Sequence, residues 1–205
     1  LTTLEIANLY ATHTNAIRFG MLISFTGSVL YLPFCMAISQ QLRRMEGRYA
    51  ILAELQSTMA VVSLFTQWFP PMLMLTAAYR PHSSPEVIQF ANDLAWILNV
   101  VTINCFLVQY FVIAIAIFSD RSPEPILPRW VAFINLWVSF IFLPGETLAF
   151  VYSGPFAWQG LLSFYSGLVA FSVWFWVMFY ALWQAIKKQA REQEQRDLVS
   201  QEALA

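Results

Sequence analysis

Five apolar stretches, each long enough to cross a bilayer as a helix, divide the chain. A helical crossing needs about 20 consecutive, mostly apolar residues, because the hydrocarbon core of a bilayer is about 30 Å thick. The stretches cover approximately residues 17–39, 55–79, 93–118, 130–152 and 161–186. The sequence therefore predicts an all-α integral membrane bundle of about five transmembrane helices.

The composition is typical of a protein that folds in lipid. Hydrophobic residues make up 59% of the chain and charged residues 11%, whereas soluble domains average about 45–50% and about 25%. We expect residues 1–186 to form the membrane domain and residues 187–205 to continue the last helix as a charged cytoplasmic tail, with Glu192 and Arg196 spaced for an ion pair. Residues 1–15 lack the features of a cleaved signal, so the first stretch should be a retained span.

The basic residues predict the orientation of the bundle. Five crossings place only Arg18 and Arg80 on the side of the N-terminus and the other nine basic residues on the opposite side. Because Lys and Arg are enriched in cytoplasmic loops, the N-terminus should lie outside and the C-terminal tail inside. The nine residues are Arg43, Arg44, Arg48, Arg121, Arg129, Lys187, Lys188, Arg191 and Arg196.

Glu146 is the strongest candidate for a functional residue. An ionisable side chain in the middle of a membrane helix costs about 2.5–3.5 kcal/mol on insertion scales, so it should face a partner or water. Asn135 lies three helical turns earlier with Ser139 between them, which places all three on one face of the fourth helix. We expect this face, opened further by Pro144, to border an outward-facing polar cavity.

The third stretch supplies two more candidate ligand-binding residues. Asp93 and Asn104 are eleven residues apart, close to three helical turns, and therefore share a face. Asn99, Thr102 and Gln109 lie on roughly the opposite face. A helix that is polar on two faces should be central, with protein or a cavity on each side.

The second stretch contains Gln67 shortly before a Pro70–Pro71 pair. Gln67 is a candidate ligand contact, because each proline removes a backbone donor and frees a carbonyl of the preceding turn. We expect kinks in the second helix at this pair and in the fourth helix at Pro144. The freed carbonyls should meet protein groups or water.

Arg18 completes the candidate set, and it also supports an alternative interpretation. Arg18 or Arg80 could pair with Glu146 or Asp93 near the outer interface. The carboxylates would then hold the bundle together without binding a ligand. Both interpretations remain open at the level of the sequence.

Small residues recur at helical spacing in the first and fifth stretches. In lipid such residues let helices approach closely, so we interpret them as helix–helix seams rather than as sites. They are Gly20, Ser24, Gly27 and Ser28 in the first stretch, and Ser163, Ser166, Gly167 and Ala170 in the fifth.

The sequence indicates no catalytic residue, metal site or cofactor. It has no phosphate-binding loop, nucleophile elbow or zinc-binding helix motif. His13 and His82 are too few for a histidine-rich iron site, and Cys35 and Cys105 lie in apolar segments where they are expected to pack. The basic residues form no continuous stripe, so no nucleic-acid partner is expected.

Two segments carry a resemblance to known proteins: YRPHSSPEVIQFANDLAW, which starts at Tyr79, and PRWVAFINLWVSFIFLPG followed by GPFAWQG, within residues 128–160. They resemble uncharacterised membrane proteins of actinobacteria and some proteobacteria that have about five transmembrane helices. The resemblance implies a multi-pass protein of the bacterial inner membrane. It implies no activity and no functional residues.

Three functional hypotheses follow. The leading one is a binding or accessory membrane protein that holds a lipid-like or small apolar ligand, or that stabilises a complex with other membrane subunits or a second copy. The alternative is a small transporter or channel that uses a polar cavity near Asp93 and Glu146. The third is a membrane enzyme acting on a lipid-like substrate, with Glu146 as its acid or base.

Overall fold

The computed structural model describes residues 1–151, 153–157 and 160–202, and these residues form helices and connections without a strand. Five helical segments are long and apolar enough to cross a membrane, which confirms the predicted all-α architecture. Tyr152, the predicted end of the fourth stretch, and tail residues 203–205 lie outside the described residues. The five segments, called spans 1 to 5 here, are Thr14–Tyr49, Ile51–Tyr79, Pro85–Ser119, Arg129–Ala149 and Leu161–Gln201.

Eight α-helices build the described part of the chain, together with short stretches of other helix types. The α-helices are α1 (Thr3–Thr12), α2 (Thr14–Ser28), α3 (Tyr31–Glu46), α4 (Ile51–Tyr79), α5 (Pro85–Val100), α6 (Asn104–Ser119), α7 (Arg129–Phe142) and α8 (Ser166–Glu202). The stretches Gly47–Tyr49 and Leu143–Ala149 are 3₁₀ helices, and Leu161–Tyr165 is a π-helix.

Local side-chain chemistry explains several helix ends. Thr2 and Glu5 form a capping box at the start of α1, a helix that the sequence interpretation did not anticipate. Gly47 ends α3 with a φ of 69°, which glycine adopts without steric penalty. The Glu46 carboxylate then accepts hydrogen bonds from the backbone N–H groups of Leu52 (2.9 Å) and Ala53 (2.8 Å), which satisfies the first turn of α4.

Spans 2 and 3 form the centre of the bundle. Helix α4 packs against α2, α3, α5 and α6, and α6 also packs against α7. In the most apolar window of span 3, 67% of the residues are buried, compared with at most 39% in any other span. The prediction that the third helix is central is therefore confirmed.

Two of the spans are interrupted near their middle, which the sequence interpretation missed. Span 1 leaves the α-helical pattern at Val29 and Leu30, and span 3 leaves it at residues 101–103. The second interruption lies between Asp93 and Asn104. The shared face predicted from their eleven-residue spacing assumed one continuous helix, so that argument was wrong.

The prolines act differently in spans 2 and 4. Helix α4 continues through Pro70 and Pro71, both of which are buried. The bend of the helix axis expected at this pair stays a prediction. Near Pro144, α7 gives way to a 3₁₀ helix at Leu143. The spacing argument that placed Glu146 on the face of Asn135 therefore does not extend past the end of α7.

Gly20 and Gly27 of span 1 do not form a close seam within the described part of the chain. A Cβ atom built on Gly20 or on Gly27 would have no neighbour within 4 Å, so the predicted seam was wrong at these glycines. A closer approach occurs at Gly145, where a Cβ would lie 3.2 Å from Val100 Cγ1. Gly167 in span 5 would bring its Cβ to 3.5 Å from the Phe142 ring, which is ordinary contact.

Ion pairs join the connections at one end of the bundle. Arg44 at the end of α3 lies 3.0 Å from Glu192, and Lys188 lies 2.7 Å from Glu124 in the α6–α7 connection. Glu192 thus pairs with Arg44, whereas the sequence suggested Arg196. The contacts bring three chain segments rich in basic residues to the same end, as an odd number of crossings requires.

Asp120 organises the α6–α7 connection at this end. Its carboxylate accepts hydrogen bonds from the hydroxyl and N–H of Ser122 and from the N–H of Ile126. Burial alone would raise the pKa of Asp120, but the hydrogen bonds from Ser122 and Ile126, together with the positive charge of Lys188, hold this pKa below its usual value.

A candidate ligand-binding cavity

A cavity of about 810 Å³ lies among the five spans. Its volume falls within the range of about 300–1,000 Å³ that is common for small-molecule sites. The lining residues at its rim include Leu30, Leu168 and Phe179, which are 72%, 50% and 53% exposed. Since these apolar side chains come from spans 1 and 5, we infer that the cavity opens at the side of the bundle between those spans.

Each span departs from a regular, fully hydrogen-bonded α-helix where it borders this cavity. The interruptions of spans 1 and 3, the proline pair of span 2, the 3₁₀ helix of span 4 and the π-helix of span 5 all contribute lining residues. Within a bilayer, irregular backbone is tolerated only where it is buried in protein or lines a cavity. Single π-helical turns are also frequent at functional sites. The lining residues at these five places are Gly27, Ser28 and Leu30; Thr66, Gln67 and Pro71; Val100 and Ile103; Gly145; and Ser163 and Phe164.

The wall contributed by span 2 combines an amide side chain with a weakened backbone. Pro70 and Pro71 have no N–H, so the carbonyls of Thr66 and Gln67 lack the donor that a regular α-helix would supply. Thr66, Gln67 and Pro71 all line the cavity. The Gln67 Nε2 atom is buried and has no hydrogen-bond partner among the described residues. This wall therefore offers unused hydrogen-bonding groups to an occupant.

Eight of the other 19 described lining residues are aromatic. The Phe175 ring centroid lies 4.9 Å from that of Phe171 and 5.0 Å from that of Phe34, and the Phe106 ring lies 5.8 Å from Tyr31. Aromatic side chains supply large apolar surfaces. Among the described lining residues there is no Asp, Glu, Lys, Arg or His. The cavity thus suits an uncharged, largely apolar molecule.

Tyr31 connects the cavity wall to a buried polar cluster that joins spans 1, 2 and 3. Its hydroxyl donates to Gln109 Oε1 at 3.1 Å, and Gln56 Nε2 donates to the same oxygen at 3.4 Å. Gln109 Nε2 in turn donates to Ser63 Oγ at 2.7 Å. These four residues are at most 3% exposed. Because both ends of the Gln109 amide are hydrogen-bonded, its oxygen holds the Tyr31 hydroxyl, and with it the Tyr31 ring, in place.

Gln67 is the one predicted ligand-binding residue that lines this cavity. Asn135 instead joins spans 4 and 5: its Oδ1 accepts a hydrogen bond from Trp174 Nε1 at 2.9 Å, and its Nδ2 donates to the Val131 carbonyl at 2.8 Å. Asn135 and Trp174 are fully buried. Their hydrogen bond gives Asn135 a structural role, and a ligand contact at Asn135 stays a prediction.

Asp93 and Arg18 lie in contacts away from the cavity. The Asn92 side chain bridges Asp93, at 3.4 Å, and the Tyr10 hydroxyl of α1, at 3.2 Å. Burial, and secondly the negative charge of Asp93, raise the pKa of Tyr10 to about 12. Arg18 donates to the carbonyls of Ala78 and Tyr79, where it satisfies the C-terminal end of α4. Neither residue forms an ion pair with Glu146 in the described part of the chain.

Glu146 and Asn104 occupy the edges of irregular segments. Glu146 lies in the 3₁₀ helix of span 4, is half-buried, and directly follows Gly145 of the cavity wall. Within residues 1–151, 153–157 and 160–202 it has no hydrogen-bonded or ionic partner. Asn104 is the first residue of α6 and is exposed. The functional roles of both stay predictions.

Several polar residues of the cavity wall were not selected from the sequence. Ser24 and Ser28 were interpreted as helix seams, whereas Asn99 was noted only as a polar position. Pro33, which cannot donate to the Val29 carbonyl, is a local signal that could have indicated Ser28, whereas no residue near Asn99 indicates the break at residues 101–103. Elsewhere among the described residues, no three His, Cys, Asp or Glu side chains come together to hold a metal ion.

Comparison of the chain with protein-family models, with curated proteins and with solved structures returned no match.

Proposed function

We propose that this protein is a membrane-embedded binding protein that holds a lipid-like or small apolar molecule in the cavity among its five spans. The observation that carries the proposal is the 810 Å³ uncharged aromatic cavity around which all five spans become irregular. An opening between spans 1 and 5 would let the molecule enter from the bilayer. An accessory role in a larger membrane complex is compatible with this binding function.

The proposal includes a placement in the bacterial inner membrane, with the N-terminus outside and the tail in the cytoplasm. The support for this orientation is the clustering of Arg44, Glu124 and Lys188 at one end of the bundle, together with the bias of basic residues. No contact among the described residues supports the transporter or the enzyme hypothesis, since neither Asp93 nor Glu146 lines the cavity.

A matched pair of glycine substitutions tests the binding function. Gly27 lines the cavity and has open space around its Cβ position, so Gly27→Phe should fill the cavity mouth without a clash. Gly20 lies on the same helix with equally open space but does not line the cavity, so Gly20→Phe is the control. Both variants add the same apolar group to α2.

The probe is a hexadecyl chain that carries a diazirine, added to the protein in mild detergent and activated by light. In the wild type and in Gly20→Phe, peptides containing the cavity residues Phe171 and Phe175 should carry the label, as mapped by mass spectrometry. Gly27→Phe should reduce that labelling at least fivefold. Labelling spread evenly over the outer helix surfaces in all three proteins would refute the proposed function.

A further inference from the structure

The polar part of the cavity indicates what kind of group its occupant carries. We infer that the ligand presents a neutral hydrogen-bond acceptor, a carbonyl oxygen on an apolar body, to the side-chain amide of Gln67. This inference rests on the proposed binding function and narrows it to a chemical class. An ester carbonyl of a glycerolipid and a quinone carbonyl both belong to that class.

The need for an acceptor follows from an unused donor of span 2. Gln67 Nε2 is buried and has no acceptor among the described residues. Trp68 Nε1 also has none, but Trp68 does not line the cavity, so only Gln67 supports the inference. A buried donor without a partner destabilises the protein, because it has lost its hydrogen bonds to water. The terminal torsion of a glutamine side chain is broad, so the Gln67 amide can rotate its N–H toward the cavity that the residue already lines. A carbonyl oxygen there would remove this destabilisation.

The absence of charge excludes an ionised head group from this position. Among the described lining residues no cation faces the cavity, and the two carbonyls freed by Pro70 and Pro71 add negative partial charge. An unpaired phosphate or carboxylate would lose its hydration here without compensation. A hydroxyl beside the ligand carbonyl, in contrast, could donate to these backbone carbonyls.

Three lipids with matched chains separate these features. Dioctanoylglycerol has ester carbonyls and a free hydroxyl, its dioctyl ether analogue keeps the hydroxyl but has no carbonyl, and dioctanoyl phosphatidic acid keeps the carbonyls but adds a charge. Each lipid competes with the hexadecyl diazirine probe for wild-type protein in detergent. Dioctanoylglycerol should compete about tenfold more strongly than either of the others, because the ether lacks the carbonyl that accepts from Gln67 and the phosphate loses its hydration. A tenfold difference corresponds to about 1.4 kcal/mol.

Gln67→Met tests whether the amide causes this preference, because methionine has a similar size and no donor. In this variant the ester and the ether should compete equally, while the probe itself still binds. A parallel competition with decylubiquinone shows the source of the carbonyl: the compound whose competition weakens more in Gln67→Met represents the natural class.

The outcomes distinguish this inference from the proposed function. If the probe labels the cavity but ester and ether compete equally in the wild type, or if their difference persists in Gln67→Met, the inference is refuted and lipid binding stands. If phosphatidic acid competes best, the ligand is anionic and the inference is also wrong. A probe that fails to label the cavity refutes the binding function itself.

Discussion

The two fully buried glutamines of the polar cluster provide a quantitative test of what holds spans 1, 2 and 3 together. Gln109 accepts from Tyr31 at 3.1 Å and from Gln56 at 3.4 Å, and it donates to Ser63 at 2.7 Å, so Gln109→Leu breaks all three hydrogen bonds. The Tyr31 hydroxyl then loses its acceptor, whereas Ser63 keeps its hydrogen bond to the Met59 carbonyl. Gln56 makes one long bond of 3.4 Å, and its Oε1 has no partner among the described residues. Gln56→Leu should therefore remove little of the free energy of unfolding.

The magnitudes follow from the number and quality of these bonds. Side-chain hydrogen bonds between membrane helices average about 0.6 kcal/mol and reach about 1.7 kcal/mol. The loss of three hydrogen bonds, one of which leaves the Tyr31 hydroxyl without an acceptor, should make Gln109→Leu cost about 1–3 kcal/mol in free energy of unfolding. The single weak bond of Gln56 should make Gln56→Leu cost less than about 0.6 kcal/mol. Both residues are 0% exposed, so the change in buried apolar surface is matched.

The assay is reversible unfolding in mixed micelles of mild detergent and sodium dodecyl sulfate, followed by far-ultraviolet circular dichroism. The difference between the two variants is the measurement that matters, because both lose an amide and gain a leucine. If Gln109→Leu costs no more than Gln56→Leu, the hydrogen bonds of Gln109 do not hold the spans together.

Three further predictions concern other parts of the molecule. Cysteines introduced at Ser84 and Ser153 should react with a membrane-impermeant thiol reagent in intact cells, and one at Ser200 only after lysis; the reverse pattern would invert the orientation. Glu146 does not line the cavity but directly follows Gly145, which does. If its carboxylate reaches the occupant, Glu146→Gln should leave the melting temperature in detergent nearly unchanged and alter labelling by the diazirine probe; a variant unchanged in both would remove Glu146 from the functional residues. Because the folded-state pKa of Asp120 is lowered, its carboxylate stabilises the protein above the unfolded pKa of about 4 and loses that effect as pH falls through the folded pKa. The melting-temperature difference between wild type and Asp120→Asn should therefore shrink on acidification, and a constant difference would contradict this linkage.

The five spans could be predicted because membrane length and hydropathy are properties of whole segments. The central position of the third span was also predictable, since Asn99 and Gln109 with Asp93 make it polar on more than one side. These arguments need only composition and average periodicity. They tolerate errors of several residues at each helix end.

The helix interruptions could not be predicted in the same way. Residues 101–103 and their neighbours contain no proline or glycine, so no local signal indicates that break. The break at Val29–Leu30 does have a local signal, because Pro33 has no N–H to donate to the Val29 carbonyl, but the sequence interpretation did not use it. The break in span 3 has no such residue beside it, and a single sequence does not display the tertiary contacts around it. Helical spacing was then carried across them, which produced the mistaken face shared by Asp93 and Asn104.

The candidate site likewise contains one residue that the local sequence indicates and others whose role depends on tertiary contacts. Gln67 was selected because it lies shortly before two prolines, which remove backbone hydrogen bonds and can be recognised in the sequence alone. Asn135 was selected because it is polar within a membrane helix, but its amide is used by Trp174 and Val131. A buried amide is equally suited to a ligand and to a neighbouring helix, and only the positions of the partners decide between them.

The convergence of irregular backbone on one cavity is difficult to explain by packing alone. An unsatisfied backbone group in hydrocarbon costs several kcal/mol, so a bundle that only had to be stable would keep its helices regular. Here the interruption near Leu30, the proline pair at Pro70–Pro71 and the π-helix at Leu161–Tyr165 all adjoin the same space. Small residues such as Gly27 keep that space open. The cost is offset if the freed backbone groups and the Gln67 amide are satisfied by a bound molecule, so the occupied protein should be more stable than the empty one.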